Sequence, residues 1–211
     1  LAFLSVMVPL QIVVGDLHGL NTLEHQPQKI AAMEGIWRGE KGAPLLLFAL
    51  PDEAARENRH AIGVPRLAAL ILRHDADGEL KGLDDFPAAH PPVKPLFFGF
   101  RVMVGTGMLM LAFGWIGLWL YRRRGWRAEA LPRTFLWGLA GMSFSGWLAT
   151  LAGWYVTEIG RQPFIVFGLV RVDEVVSRVP SPLVATTLAL YLTVYLALIV
   201  AYVGVVKHMA E

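Results

Sequence analysis

Three groups of polar side chains in this sequence stand among apolar neighbours, and their types define the chemistry open to them. Arg101 lies in Phe97-Phe98-Gly99-Phe100-Arg101-Val102-Met103, where a charge costs ~2.5 to 3.5 kcal/mol at the centre of a bilayer and less near its surface. It is read either as an arginine snorkelling from a helix end or as a cation paired with a buried anion such as a heme propionate. Met103 is either apolar filling or a thioether ligand of low-spin heme iron. In the second group Trp154, Glu158 and Arg161 are spaced by helical turns and share one face. They form either an aromatic belt with an interfacial ion pair or a carboxylate held at membrane depth to ligate iron or carry protons. The third group runs from Asp16 through His18, Glu24 and His25 to Lys29 and Glu34. Gly19 and Pro27 argue against a helix that would align the two histidines, so these are read as solvated loop residues. Lys29 and Glu34 are the more informative pair, because an amine and an acid beside a membrane can bind the hydroxyls and accept the protons of an amphipathic quinol.

The elements that must position these groups follow from composition. Of 211 residues, 55% are hydrophobic and 17% charged, and the mean hydropathy is +0.49. This balance excludes an ordinary water-soluble globule and a disordered chain. The absence of cysteine excludes disulfides and thiolate metal sites, leaving His, Met or carboxylate as ligands. A net charge of +2 and pI near 9.1 do not point to nucleic acid, since five of the nineteen Lys and Arg lie between Arg122 and Arg133.

About 20 apolar residues cross about 30 Å of hydrocarbon. Leu96–Tyr121, Phe135–Val156 and Leu183–Val206 meet that length, and none has the polar stripe of a helix facing water. The run Leu1–Val14 has no charged region ahead of it and no clean cleavage point after it, so it is expected to be the end of a membrane helix whose start lies upstream. The fold class is therefore an all-α membrane protein with four transmembrane helices, the first truncated, and a long loop after the first.

The loop after the second helix carries Arg122, Arg123, Arg124, Arg127 and Arg133 against the single acid Glu129, which predicts a cytoplasmic location. The expected organisation is a truncated helix (1–15), a long periplasmic loop (16–95), a helix (96–121), a cytoplasmic Arg-rich loop (122–134), a helix (135–157), a periplasmic loop (158–182), a helix (183–206) and a cytoplasmic tail (207–211). The first outer segment holds 12 acids, nine bases and eight prolines, Pro87 among them. Within it, Pro27–Trp37 reads as a short helix with Ile30, Met33 and Trp37 on one face and Gly39 following. The remainder reads as an irregular excursion over the membrane surface. Phosphate-binding glycine loops, nucleophile elbows, zinc helices and EF-hand patterns are absent from the sequence.

Gly15-Asp16 with Lys29-Ile30-Ala31-Ala32-Met33-Glu34, then Phe100-Arg101-Val102-Met103, then Gly153-Trp154 with Glu158-Ile159-Gly160-Arg161-Gln162-Pro163 occur in one order. In this the chain resembles the carboxyl-terminal half of subunit I of cytochrome bd-type quinol oxidases. Lys81-Gly82-Leu83-Asp84-Asp85-Phe86-Pro87 is similar to the short-loop branch, which includes cyanide-insensitive enzymes. The resemblance implies a terminal oxidase of the bacterial cytoplasmic (inner) membrane that oxidises quinol at the outer face and reduces O2 to water. It implies low-spin heme b, high-spin heme b, and heme d or a second heme b. Met103 would ligate the low-spin iron beside Arg101, and Glu158 a high-spin iron supported by Trp154 and Arg161. Lys29, Glu34 and Asp16 would serve quinol oxidation. Histidine ligands are expected upstream of Leu1, and subunit II, a small single-helix subunit and membrane lipid are implied partners. Phe164 departs from the family's tryptophan. The rival reading is a heme-free transporter or structural membrane subunit using Glu158 and Arg161 as a polar path.

Overall fold

The computed structural model describes residues 2–86 and 90–210, so Leu1 and Pro87 lie outside the described residues. Four helical stretches are long and apolar enough to cross a membrane: Ala2–His25, Val93–Arg123, Arg133–Gly160 and Ser181–Met209. The chain divides into two units, Leu1–Val172 and Asp173–Glu211.

In the first unit, α1 (Ala2–His25) runs on to His25 instead of giving way to a loop at Asp16. Gly19 within a helix costs about 1 kcal/mol, but the outer turns of α1 are held by packing on α2 (Pro27–Glu34) and α3 (Leu67–Arg73). Thr22 Oγ1 and His25 Nδ1 bond back to the His18 and Asn21 carbonyls. His18 and His25 are thus exposed helical side chains, and among the described residues no group of three His, Cys, Asp or Glu converges as a metal site.

Helix α2 starts at Pro27, as its missing N–H and fixed φ favour. It ends earlier than the sequence pattern implied. Gly35 adopts φ 69° and donates to Ala32 O while Ile36 N–H reaches Ala31 O, a paired closure that requires a left-handed residue. Ile30, Ala31, Ala32 and Met33 pack with Trp37, Leu83, Val93, Leu96 and Val156 into the main core. That core sits where the outer segment meets the helix ends.

The region after α2 is not irregular. Strand β1 (Glu40–Lys41) pairs antiparallel with β4 (Glu79–Leu80), and β2 (Leu45–Asp52) with β3 (Glu57–Val64). Asp52 Oδ1 accepts from the Ala54 and Ala55 amides at the hairpin turn, and these amide bonds, opposed by slight desolvation and aided by Arg59 and Lys94, pull its carboxyl below the usual range. Glu53 Oε1 accepts from Val93 N and Lys94 N at 3.0 and 3.4 Å. The hairpin turn thereby caps α4 (Val93–Arg123).

Gly82 marks a close crossing of two backbones. A Cβ there would lie 2.4–2.6 Å from the Arg38 N, Cα and C atoms, which side-chain adjustment cannot relieve. Gly82→Ala is expected to destabilise the outer segment by about 1–3 kcal/mol, read as a lower thermal-unfolding midpoint and faster proteolysis between Arg56 and Arg73.

The third span is broken into α5 (Arg133–Met142) and α6 (Ser145–Gly160), not continuous. Ser143 and Ser145 hydroxyls bond the Ala140 and Met142 carbonyls at 2.7 and 2.6 Å, offering the backbone local partners in a Gly- and Ser-rich stretch. Helix α4 packs against α1 and α6. Gly114 admits Leu4, Gly138 admits the Phe113 ring and Gly99 admits Val156. Beyond α6 a short hairpin forms from β5 (Phe164–Val166) and β6 (Val170–Arg171).

The second unit is one turn of 3-10 helix followed by α7 (Ser181–Ala210). Thr186, Thr187 and Thr193 return their hydroxyls to carbonyls one turn back, which keeps these polar groups satisfied on an otherwise apolar rod.

Candidate functional site

Helix α2 packs on both α4 and α6, and its two ionisable side chains reach different helices. From its carboxyl end Glu34 meets Arg101 of α4, Oε2 to Nη2, at 3.2 Å, with the side chains 5% and 15% exposed. The remaining donors of Arg101 are also used. Nε donates to Leu46 O at 2.8 Å, and Nη1 to Met33 O at 2.6 Å and Phe97 O at 3.1 Å. The guanidinium carbon stands 3.3 Å from the Phe97 ring centroid. One cation therefore joins the carboxyl end of α2, strand β2 and its own helix. This is the condition under which an enclosed charge is tolerated: a partner and a full set of hydrogen bonds.

Burial pushes the Glu34 carboxyl above the ordinary carboxylate range, with Arg101 opposing through charge and hydrogen bonding. Around this pair, Asn58 of β3 donates from Nδ2 to Gly35 O at 2.7 Å and accepts the Trp37 Nε1–H at 3.1 Å. Gly35 is close-packed as well, since a Cβ there would meet Asn58 Oδ1 at 3.2 Å.

From the opposite end of α2, Lys29 lies over α6. Its Cγ, Cδ and Cε lie within 3.1 Å of where a Cβ on Gly160 would be, so a glycine is what lets the amine stem cross. Desolvation, then the Arg161 charge, depress the Lys29 ammonium below its usual value, and Glu158 partly offsets them. Glu158 and Arg161 form an ion pair at 3.1 Å with side chains 49% and 40% exposed, an arrangement worth little to stability by itself. Trp154 is exposed, its ring 5.9 Å from that of Tyr155. Phe164 is buried, edge-on to Phe167 at 5.6 Å.

Met103 faces the α4–α6 seam. A Cβ on Gly153 would come 2.8 Å from its Sδ, so the glycine beside Trp154 permits this approach. An added Cβ at Gly107, one turn on from Met103, would meet nothing within 4 Å. A thioether is a donor that heme iron accepts, and a carboxylate oxygen is a further donor type that a metal would accept. By donor chemistry, Met103 and Glu158 are the side chains of this region that would suit a heme iron.

Asp16 is elsewhere. On α1 it pairs with His74 at 3.4 Å, beside a cleft of about 360 Å³ lined by Leu20, Leu23, Glu24, Leu72, Arg73 and His74. The structure thus brings together Glu34 with Arg101, Lys29 with Glu158 and Arg161, and Met103 with the glycine next to Trp154. It does not join Asp16 to Lys29 and Glu34. Asn58, Trp37 and the Leu46 carbonyl were invisible to spacing arguments because the contacts they make cross tens of residues.

The family model described as cytochrome bd terminal oxidase subunit I matches residues 1–211. The chain is 34% identical over 175 residues to cytochrome bd ubiquinol oxidase subunit 1 of Bacillus subtilis, covering 77% of this chain and 36% of that protein. It is 24% identical over 277 aligned residues to cytochrome bd-II ubiquinol oxidase subunit 1 of Escherichia coli, covering 99% of this chain and 52% of the relative. The bd oxidase structure from Geobacillus thermodenitrificans superposes with a TM-score of 0.75 at 28% identity, over 97% of this chain and 46% of that one. The chain therefore spans between about a third and a half of the proteins it matches.

Proposed function

Since the chain belongs to the cytochrome bd terminal oxidase subunit I family, we propose that it forms the quinol-oxidising and part of the heme-binding region of a quinol:oxygen oxidoreductase in the bacterial inner membrane. The observation that supports this reading is the packing of α2, which lays an amine on α6 and an acid against α4. Lys29, with its proton loosened by burial, is suited to accept a hydrogen bond or proton from a quinol hydroxyl. Glu34, with its proton held to higher pH than a free carboxyl, is suited to take up the second and release it outward. Asp16, apart from Lys29 and Glu34, would serve quinol from the α1 side, near the cleft it borders through His74.

Met103 would hold low-spin heme b, and Glu158, backed by Trp154 and Arg161, would hold high-spin heme. Bound heme would supply the one-electron chemistry that connects a two-electron quinol donor to O2. Heme d or a second heme b completes the set, and subunit II with a small single-helix subunit completes the assembly. Arg101 keeps a positive charge next to Met103 while its hydrogen bonds fix the distance between the outer segment and α4.

Lys29→Ala in the assembled oxidase is expected to slow quinol oxidation on the order of 10²-fold with heme content unchanged; loss of heme instead would assign Lys29 a structural role. The pH dependence gives a second test. If Glu34 must be ionised to accept a proton, the acid limb of kcat/KM falls at a pH above the ordinary Glu value of 4.5, because burial raises its pKa. Glu34→Gln is expected to remove that limb. An unchanged profile would exclude Glu34 as the base.

A further inference from the structure

The arginine-rich connection between α4 and α5 is more ordered than the inward charge bias of a membrane protein requires. Trp126 N–H closes onto Tyr121 O, and Gly125 and Trp126 take φ values of 67° and 63° to turn the chain. Trp126 stands edge-on to Tyr121 at 5.2 Å. The Arg124 side chain donates to Ala130 O and braces the turn, and Leu131 N–H closes onto Ala128 O with its side chain buried. A left-handed tryptophan is a strained position, kept here by the contacts around it.

Two guanidinium groups are held by this framework without using their hydrogen-bonding edges on the protein. Arg123 lies over the Trp119 ring at 4.4 Å and Arg122 over Trp126 at 5.9 Å. Among the described residues no carboxylate pairs with Arg122, Arg123, Arg127 or Arg133, and none of their side chains donates a hydrogen bond. The connection's one acid, Glu129, is in no ion pair there. Both tryptophans are more than half exposed at the end of a membrane-length helix, the depth at which indole rings settle between hydrocarbon and headgroups. Stacked, planar guanidinium forks beside such rings match the geometry of a phosphodiester oxygen pair.

We infer that this turn is a binding site for the headgroup of an anionic glycerophospholipid, with Arg122 and Arg123 engaging the phosphate, Arg127 and Arg133 adding charge, and Trp119 and Trp126 flanking the glycerol region. The occupant is a lipid and not a soluble anion, because the guanidinium groups sit against exposed indole rings at the end of a membrane-length helix.

The test uses the assembled oxidase in nanodiscs of phosphatidylcholine doped with phosphatidylglycerol, followed by detergent extraction and lipid mass spectrometry. Phosphatidylglycerol is expected to be retained in preference to phosphatidylcholine, and R122Q/R123Q to lower that retention about tenfold. R122K/R123K is expected to retain less than half of the wild-type amount, since lysine keeps the charge without the fork. Equal retention in the Gln variant, or full retention in the Lys variant, would overturn the site. A photoreactive phosphatidylglycerol supplies a readout on the unaltered protein: crosslinks are expected on residues 119–133, and a crosslink pattern without enrichment there overturns the proposal. Displacement of bound phosphatidylglycerol by millimolar inorganic phosphate would also overturn it, assigning the turn to free anions.

Discussion

Arg101→Leu is expected to undock the outer segment from the membrane helices, at a cost of about 3–5 kcal/mol. The substitution keeps apolar volume but leaves Glu34, 5% exposed at its side chain, without its cation. It also removes the guanidinium donors from the Met33 and Leu46 carbonyls; Phe97 O keeps its helical backbone partner. The effect has a definite pH dependence. Burial already lifts the Glu34 pKa and Arg101 restrains it, so removing the arginine lifts it further. An acid that binds its proton more tightly folded than unfolded favours the unfolded chain as pH rises. The defect is therefore smallest below the ordinary value of 4.5 and grows from there toward the raised folded pKa. Proteolytic cleavage at Arg56, Arg59 and Arg66 across a pH series measures it. A flat series, or an unaltered cleavage rate, would mean that the pair does not hold the segment down. Arg101→Leu combined with Glu34→Leu should recover much of the loss, since it removes both charges together.

Met103→Leu is expected to abolish the low-spin heme signature of the assembled oxidase while the helices still pack. Leucine is close to methionine in volume, and such exchanges cost less than about 1.5 kcal/mol in a core. The seam between Met103 and Gly153 is therefore not expected to open. Loss of the low-spin absorption with normal protein assembly separates a ligand from a filler. An unchanged spectrum would exclude Met103 as an axial donor. A companion variant, Gly153→Ala, drives a methyl to within 2.8 Å of the sulfur and is expected to shift the same absorption without eliminating it.

The membrane helices were legible because hydrophobic runs of that length have few other uses. The start of α2 was also legible, since Pro27 announces it and Ile30, Met33 and Trp37 share a buried side. Its end was not, because Gly35 and Gly39 are equally permissive and only packing chooses between them. The β2–β3 hairpin escaped notice: Leu45–Asp52 reads as an apolar run without clear alternation, and its turn is made by Asp52 side-chain bonds rather than by an Asn-Gly pair. The persistence of α1 past Asp16 reflects tertiary support that overrides Gly19. The site divides in the same way. Glu158 and Arg161 could be paired from their helical spacing, and they are in fact paired. Arg101 was recognised as costly, but its partner lies 67 positions away, and no periodicity reaches that far. The sequence order of the motifs identified the family, while the pairing of α2 with two separate helices had to come from the fold.

The interruption between α5 and α6 bears on how the chain meets bilayers of different thickness. A continuous rod longer or shorter than the local hydrocarbon must tilt as a whole, carrying its outermost residues with it. Here the rod has a joint at Ser143 and Phe144. Ten residues on one side and sixteen on the other give arms of about 15 and 24 Å at 1.5 Å per residue. The longer arm is fixed along α4 by the Gly99–Val156 and Gly153–Met103 approaches, and the shorter arm by the Phe113 ring, which lies against Gly138 and stacks on Phe135 at 5.7 Å. Because each arm is keyed to α4 separately, a thickness mismatch is expected to change the angle at Ser143 and Phe144 before it unseats either arm.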